Sequence, residues 1–206
     1  MATIGTLPGD RLAGLLIDQI EKIRKGALTL DELALFVQRK NPFELRVEVR
    51  LKLLELVTSV FVPSVEWFAA AEHFKVETRK AKVKIVVLAE NFRNNFLEMI
   101  EENLPAGALR VHKLLKSSVD KLIIAELGEH DTYLADLWMM LEKQPNGEEG
   151  SLLVNGWSNI FYIKSKNSQL WAVYAYWNAT DGGWYVRANS VTSPYEWDAG
   201  YQVVSR

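Results

Sequence analysis

The sequence predicts an α+β fold: N-terminal helices, a helical hairpin and a mixed α/β middle, then a C-terminal antiparallel sheet of four to five strands. Three observations predict it. Residues 151–206 hold five of the seven tryptophans and six of the seven tyrosines, in short β-rich runs broken by Asn, Gly and Ser. Residues 9–40 carry apolar side chains at helical spacing with helix-start signals. Gln144–Gly150, the most linker-like segment, separates the two characters. The division that follows is a helical region over 1–62, a mixed region over 63–146 and an aromatic-rich β region over 147–206, with 63–206 also readable as one domain.

In order along the chain, Leu12, Leu15, Leu16, Ile20 and Ile23 share one face of a helix expected from about residue 9 or 10 to Lys25. Asp10 suits its start, and Lys22, Arg24, Lys25 and Gly26 suit its end. Thr29 and Glu32 make a capping box for a second helix, with Leu28 and Leu33 as its hydrophobic staple. Asn41 before Pro42 stops that helix near Lys40, completing a helical hairpin.

Residues 43–62 carry two patterns. Phe43, Leu45, Val47, Val49, Leu51 and Leu53 alternate with charged residues, as in a strand, while Val47, Leu51, Leu54, Thr58 and Phe61 make a helical stripe. Twenty residues is long for a strand, so a helix is expected over 45–60. Pro63 ends it, and Ser64 caps a short helix from Val65 to His73. A strand over Lys82–Leu88 and a helix over Asn91–Glu102 follow, then a break at Leu104–Gly107. Leu109–Leu115 reads as strand or helix. Val119–Leu127 reads as a helix closed by Gly128, and Asp131 caps a helix over Thr132–Lys143.

The β region contains strands at Leu152–Val154, Ile160–Ile163, Leu170–Trp177, Trp184–Ala188 and Tyr201–Val204. Lys164–Gln169 is a hairpin connection in which Asn167 takes the positive φ, and Asp181-Gly182-Gly183 is a second tight turn. Leu170–Trp177 is apolar on both faces, which places it centrally with something covering each side.

A chain of 206 residues, 49% hydrophobic and 24% charged, has the composition of a globular protein. Its net charge of −2 makes no electrostatic call on nucleic acid or acidic membranes. The absence of cysteine removes disulfides, thiolate chemistry and Cys-ligated metals, and fits a reducing cytoplasm. Arg11 and Asp18 break the first apolar stretch, so neither a signal peptide nor a membrane span is expected. Asn178-Ala179-Thr180 matches a glycosylation acceptor and reads as a turn.

Asn159–Ile163, Leu170–Val173, Gly183–Val186, Ser190-Val191, Trp197 and Gly200–Arg206 resemble the ends of uncharacterised proteins from candidate-phylum bacteria, as do Lys116–Ser118 and Ile123–Leu127. The resemblance spans roughly residues 65–206 and brings no activity with it, so no residue role is carried over.

Chemistry is sparse. His73, His112 and His130 lie far apart without a metal-protease spacing, and neither a phosphate-binding loop nor a nucleophile elbow occurs. No metal or cofactor is expected. Glu126, Glu129, His130 and Asp131 are explained by a helix–helix connection. The leading expectation is a non-enzymatic binding or interaction module. Its contact residues would be Trp157, Trp177, Trp184, Trp197, Arg187 and Lys164, and its ligand a protein, peptide or glycan. One alternative is a small hydrolase using His112 or His130, with Ser117, Ser118 and Asp120 in reserve. Another is a single-stranded nucleic-acid binder using Lys164, Lys166 and Arg187, disfavoured by the weak basic charge of this region. Self-association through the helices is the third.

Overall fold

The computed structural model describes residues 17, 18, 20–26, 29, 52–76, 81–128 and 130–206. The chain divides into two compact units, 1–50 and 51–206. In the first, residues 17, 18 and 20–24 are helical, and Gly26 follows at φ +69°, the conformation a terminating glycine supplies. The second arm of the expected hairpin lies outside the described residues apart from Thr29, as do residues 43–51 of the ambiguous stretch.

The second unit overturns the expected fold class. Strand outweighs helix, and one large mixed sheet spans the unit in place of a C-terminal antiparallel one. Its strands are β1 (Leu54–Val62), β3 (Ile85–Leu88), β5 (Gly107–Leu114), β7 (Asp131–Thr132), β8 (Asn159–Lys164), β9 (Leu170–Asn178), β10 (Gly183–Ser190) and β12 (Gln202–Ser205). Two-stranded pairs form between β2 (Val65–Ala69) and β4 (Ile100–Leu104), and between β6 (Ser118–Val119) and β11 (Glu196–Trp197). The helices are α1 (Ala70–His73), α2 (Glu90–Phe96), α3 (Asp120–Leu127) and α4 (Leu134–Glu142).

The sheet runs β1-β5-β12-β8-β9-β10-β3, with β7 beside the far half of β8. β12–β8, β10–β3 and β7–β8 are parallel, and the other neighbours are antiparallel. Strands from both sides of residues 144–150 therefore share one sheet. The buried Gln144 side chain pins that segment, donating to the Glu148 and Leu152 carbonyls and accepting from Leu152 N–H.

Several elements differ from the sequence reading. The helix expected over 45–60 is strand β1 where it is described. A bulge between Leu56 and Thr58 adds one residue to its period of two. Leu54 then faces one core and Val60 and Val62 the other, so the four-residue step from Leu54 to Thr58 that resembled a helix is the bulge. Val65–Ala69 pairs as a strand with β4, leaving only Ala70–His73 helical. The helix expected to Glu102 ends at Phe96, because Ile100–Leu104 extends to pair with β2. Leu152–Val154 is not a strand. In the β8–β9 hairpin Ser168, not Asn167, takes the positive φ, at +59°.

β9 lies between β8 and β10, covered on each side. Its Val173 and Ala175 meet the main core, with Phe161, Val186, Trp184, Phe96 and the α4 residues Leu137 and Leu141. Its Ala172 meets a smaller core of Leu114, Ile123, Ile160, Tyr162, Trp197 and Val203.

The start of α4 is a charged node. The cap is not Asp131 but Tyr133, whose N–H donates to Asp136 Oδ2 at 3.0 Å. Glu101, from β4, accepts the next two N–H groups, of Leu134 at 2.8 Å and Ala135 at 2.9 Å. Arg206 donates to both oxygens of Asp136 at 2.8 Å and to Pro105 O at 2.9 Å. Burial pushes the Glu101 carboxyl up, against the pull of its two backbone bonds.

Candidate functional site

The face opposite the main core carries a run of tyrosines. The turn between β9 and β10 fixes it: Asn178 Oδ1 accepts the N–H groups of Thr180 and Asp181 at 2.9 and 3.1 Å, and Gly182 sits at φ +57°. The resulting register sets Tyr176 opposite Tyr185 and Tyr174 opposite Arg187. The Tyr176 and Tyr185 rings lie 5.1 Å apart, and the Arg187 guanidinium is 5.8 and 5.7 Å from their centres. Tyr174 and Tyr195 both pack edge-on to Trp197, at 5.0 and 4.9 Å. The Tyr185 hydroxyl donates to Asp181, which holds its proton more firmly than usual.

Tyr174, Tyr176, Tyr185 and Arg187 are half-buried, and Tyr195 is 45% exposed. Arg187 has no ion-pair partner among the described residues, and its Nε–H is buried without an acceptor. The face therefore offers flat rings for stacking and one cation with an unused donor.

The residues chosen from sequence do not gather into one patch. Trp184 is fully enclosed; its indole N–H donates to Gln144 O at 2.9 Å, and its ring lies 5.7 Å from Trp177. Trp177 is half-buried against Gly147, where a Cβ would come within 2.3 Å of the ring. Trp197 is 1% exposed and donates to Asp120 Oδ1 at 2.7 Å. Trp184 and Trp197 are core residues, because each finds both an apolar enclosure and a partner for its N–H. Trp157 is 43% exposed and lies over Gly200, with Tyr201 6.1 Å away. Through Tyr201 and Trp197 it forms the far end of the aromatic run. Lys164 pairs with Asp131 beside β7 and β8. Of the six, Arg187 and Trp197 touch the tyrosines of this face, and of those two only Arg187 is not enclosed. Tyr176 and Tyr185 were not among the residues chosen from sequence, although the two-faced apolar strand and the short Asn178–Gly183 connection already imply that they are neighbours.

Among the described residues the hydrolase alternative finds no assembled site. His130 Nδ1 lies 2.8 Å from Gly128 O, and its Nε2 is 3.5 Å from Asp131. Ser117 Oγ accepts from Ala199 N–H, and Ser118 is buried. Asp120 is committed to Tyr162 and Trp197, with no histidine on it. Glu126 turns away to accept the N–H groups of Leu53 and Leu54, and among the described residues no three His, Asp or Glu side chains are placed to hold a metal.

Asp120 is instead a buried structural acid. Burial pushes its carboxyl up, against the hydrogen bonds from Trp197 and Tyr162, and Oδ2 has no partner. A carboxyl raised by folding favours the fold below its ordinary value and loses that contribution as pH rises through the folded value. Asp120→Asn keeps one oxygen acceptor and removes the buried charge. The wild type is expected to lead the variant in melting temperature at pH 4 and to lose that lead by pH 7. A lead that does not change with pH counts against this account.

No protein-family model, curated protein or solved structure matches the chain. No helix among the described residues is long and apolar enough to cross a membrane.

Proposed function

We propose that the chain is a non-enzymatic binding module that contacts its ligand through Tyr174, Tyr176, Tyr185, Arg187 and Tyr195. The observation that carries this reading is Arg187: a cation with no ion-pair partner among the described residues, held over two tyrosine rings with a buried, unused N–H. A ligand with a flat face and one acidic or carbonyl group satisfies both features. Peptides and glycans, uronate-bearing ones included, have that chemistry. A nucleic-acid strand fits less well, because Asp181 in the β9–β10 turn and Glu196 beside Tyr195 are acidic and make no basic track.

The test is a panel of peptides, neutral and acidic glycans and single-stranded oligonucleotides, screened by tyrosine and tryptophan fluorescence and confirmed by calorimetry. Tyr176→Ala and Arg187→Gln are each expected to weaken a true ligand at least tenfold, about 1.4 kcal/mol. Failure of every panel member to bind, or a ligand indifferent to both substitutions, would remove the reading.

A further inference from the structure

The cavity between β1, β5 and α3 is independent of the tyrosine face. It has a volume of about 290 Å³ and is lined by Leu54, Leu56 and Lys52, by Arg110 and His112, and by Glu126 and Leu127. Arg110 and His112 are two apart on β5 and so point to one face, where Leu56 stands opposite His112. Leu54 and Leu56, two apart on β1, share this side, and the bulge just after Leu56 turns Val60 and Val62 to the other.

Two polar atoms of this lining, Arg110 Nε and His112 Nδ1, are buried without a well-formed hydrogen bond, the His112 ring having only the Val203 backbone beside it. Arg110 spends its Nη2 on Arg206 O, leaving the Nε–H unused. The nearby acid does not answer either atom. Glu126 Oε1 accepts Leu53 N–H and Leu54 N–H at 2.9 Å, and Oε2 accepts Leu53 N–H at 3.0 Å. Lys52 and Arg110 outnumber Glu126 in cations, so the cavity holds an excess of positive charge. His112 is pushed down, first by burial and then by Arg110, and is therefore neutral at neutral pH. A neutral imidazole protonated on Nδ1 donates without adding charge. Leaving two buried polar atoms unpaired is costly, which is the incentive for a guest that accepts from both.

We infer that this cavity binds a small oxyanion, a phosphate or carboxylate group, through Arg110 Nε–H and His112 Nδ1–H, with Lys52 at its mouth. The apolar side chains of Leu54, Leu56 and Leu127 flank the pair and leave room for a short apolar appendage.

The experiment titrates the full chain with sodium phosphate and, separately, sodium acetate, against sodium chloride at matched ionic strength. The readouts are the imidazole resonances and the melting temperature. Either anion is expected to shift the His112 ring signals saturably, to leave His73 and His130 in place, and to raise the melting temperature. A response to phosphate alone assigns a phosphoryl group, and one to acetate alone a carboxylate. Arg110→Gln is expected to weaken binding at least tenfold. Lys52→Gln, at an exposed position, tests the same charge without disturbing the core and is expected to weaken it several-fold. No saturation with either anion, equal shifts in chloride, or unchanged binding in both variants overturns the proposal.

Discussion

Asp136→Ala is expected to lower the stability of the fold by about 3–5 kcal/mol, the cost of leaving one member of a buried ion pair alone. The Asp136 side chain is fully buried and that of Arg206 is 16% exposed. Removing the carboxylate strips Arg206 of two hydrogen bonds and leaves the Tyr133 N–H uncapped. Arg206→Ala strikes from the other side. It leaves Glu101 and Asp136 facing each other without their cation, and Glu101 is already raised by burial and by Asp136. Protonation relieves that conflict, so the deficit of Arg206→Ala is expected to be larger at pH 7 than at pH 4.5. Replacing both partners by leucine recovers a large part of either single loss. Urea unfolding at the two pH values measures all of this. Single losses below about 1 kcal/mol, or a double variant equal to the sum of the singles, contradict the role given to the pair.

Trp184→Ala is expected to cost about 3–5 kcal/mol, through lost burial and the cavity left behind. The ring fills the space between Trp177, Val186 and the segment that Gln144 holds, and its N–H ties that segment to β10. Trp184→Phe separates the two contributions: it keeps most of the apolar contact and removes one of the two hydrogen bonds to the Gln144 carbonyl, which keeps that of the Gly147 N–H, for about 1 kcal/mol. Because Tyr185 and Arg187 point away from Trp184, Trp184→Phe is expected to leave ligand binding unchanged. Chemical denaturation gives the stabilities. A Trp184→Phe variant of full stability that binds ligand more weakly would return this tryptophan to the contact surface.

Legibility in the sequence followed the range of the determining contacts. β8, β9 and β10 were readable because dense aromatic alternation and short polar turns specify hairpins locally. α3 and its terminating Gly128, at φ +69°, were readable for the same reason. β1 was not, because a single bulge broke its alternation into helix-like spacing. β4 was not, because its extension depends on β2, more than thirty residues earlier in the chain. The same limit governs the site. Nothing near Trp184 or Trp197 in sequence announces Gln144 or Asp120, which lie 40 and 77 residues away and decide that both indoles are enclosed. Arg187 lies in the aromatic region on sequence position alone. Its setting between Tyr176 and Tyr185 required the register.

The position of β12 has a consequence for biosynthesis. Residues 202–205 come after every other strand in order of translation, yet they lie between β5 and β8. Until they leave the ribosome, the β1–β5 ladder and the β8–β9–β10 ladder have no strand to join them, and two unpaired edges face each other. Unpaired edges invite pairing with other chains. The unit is therefore most vulnerable to aggregation during the interval before its last strand emerges. It should gain most from a chaperone that acts late, and cutting the chain just before Gln202 should yield insoluble protein instead of a slightly shortened fold.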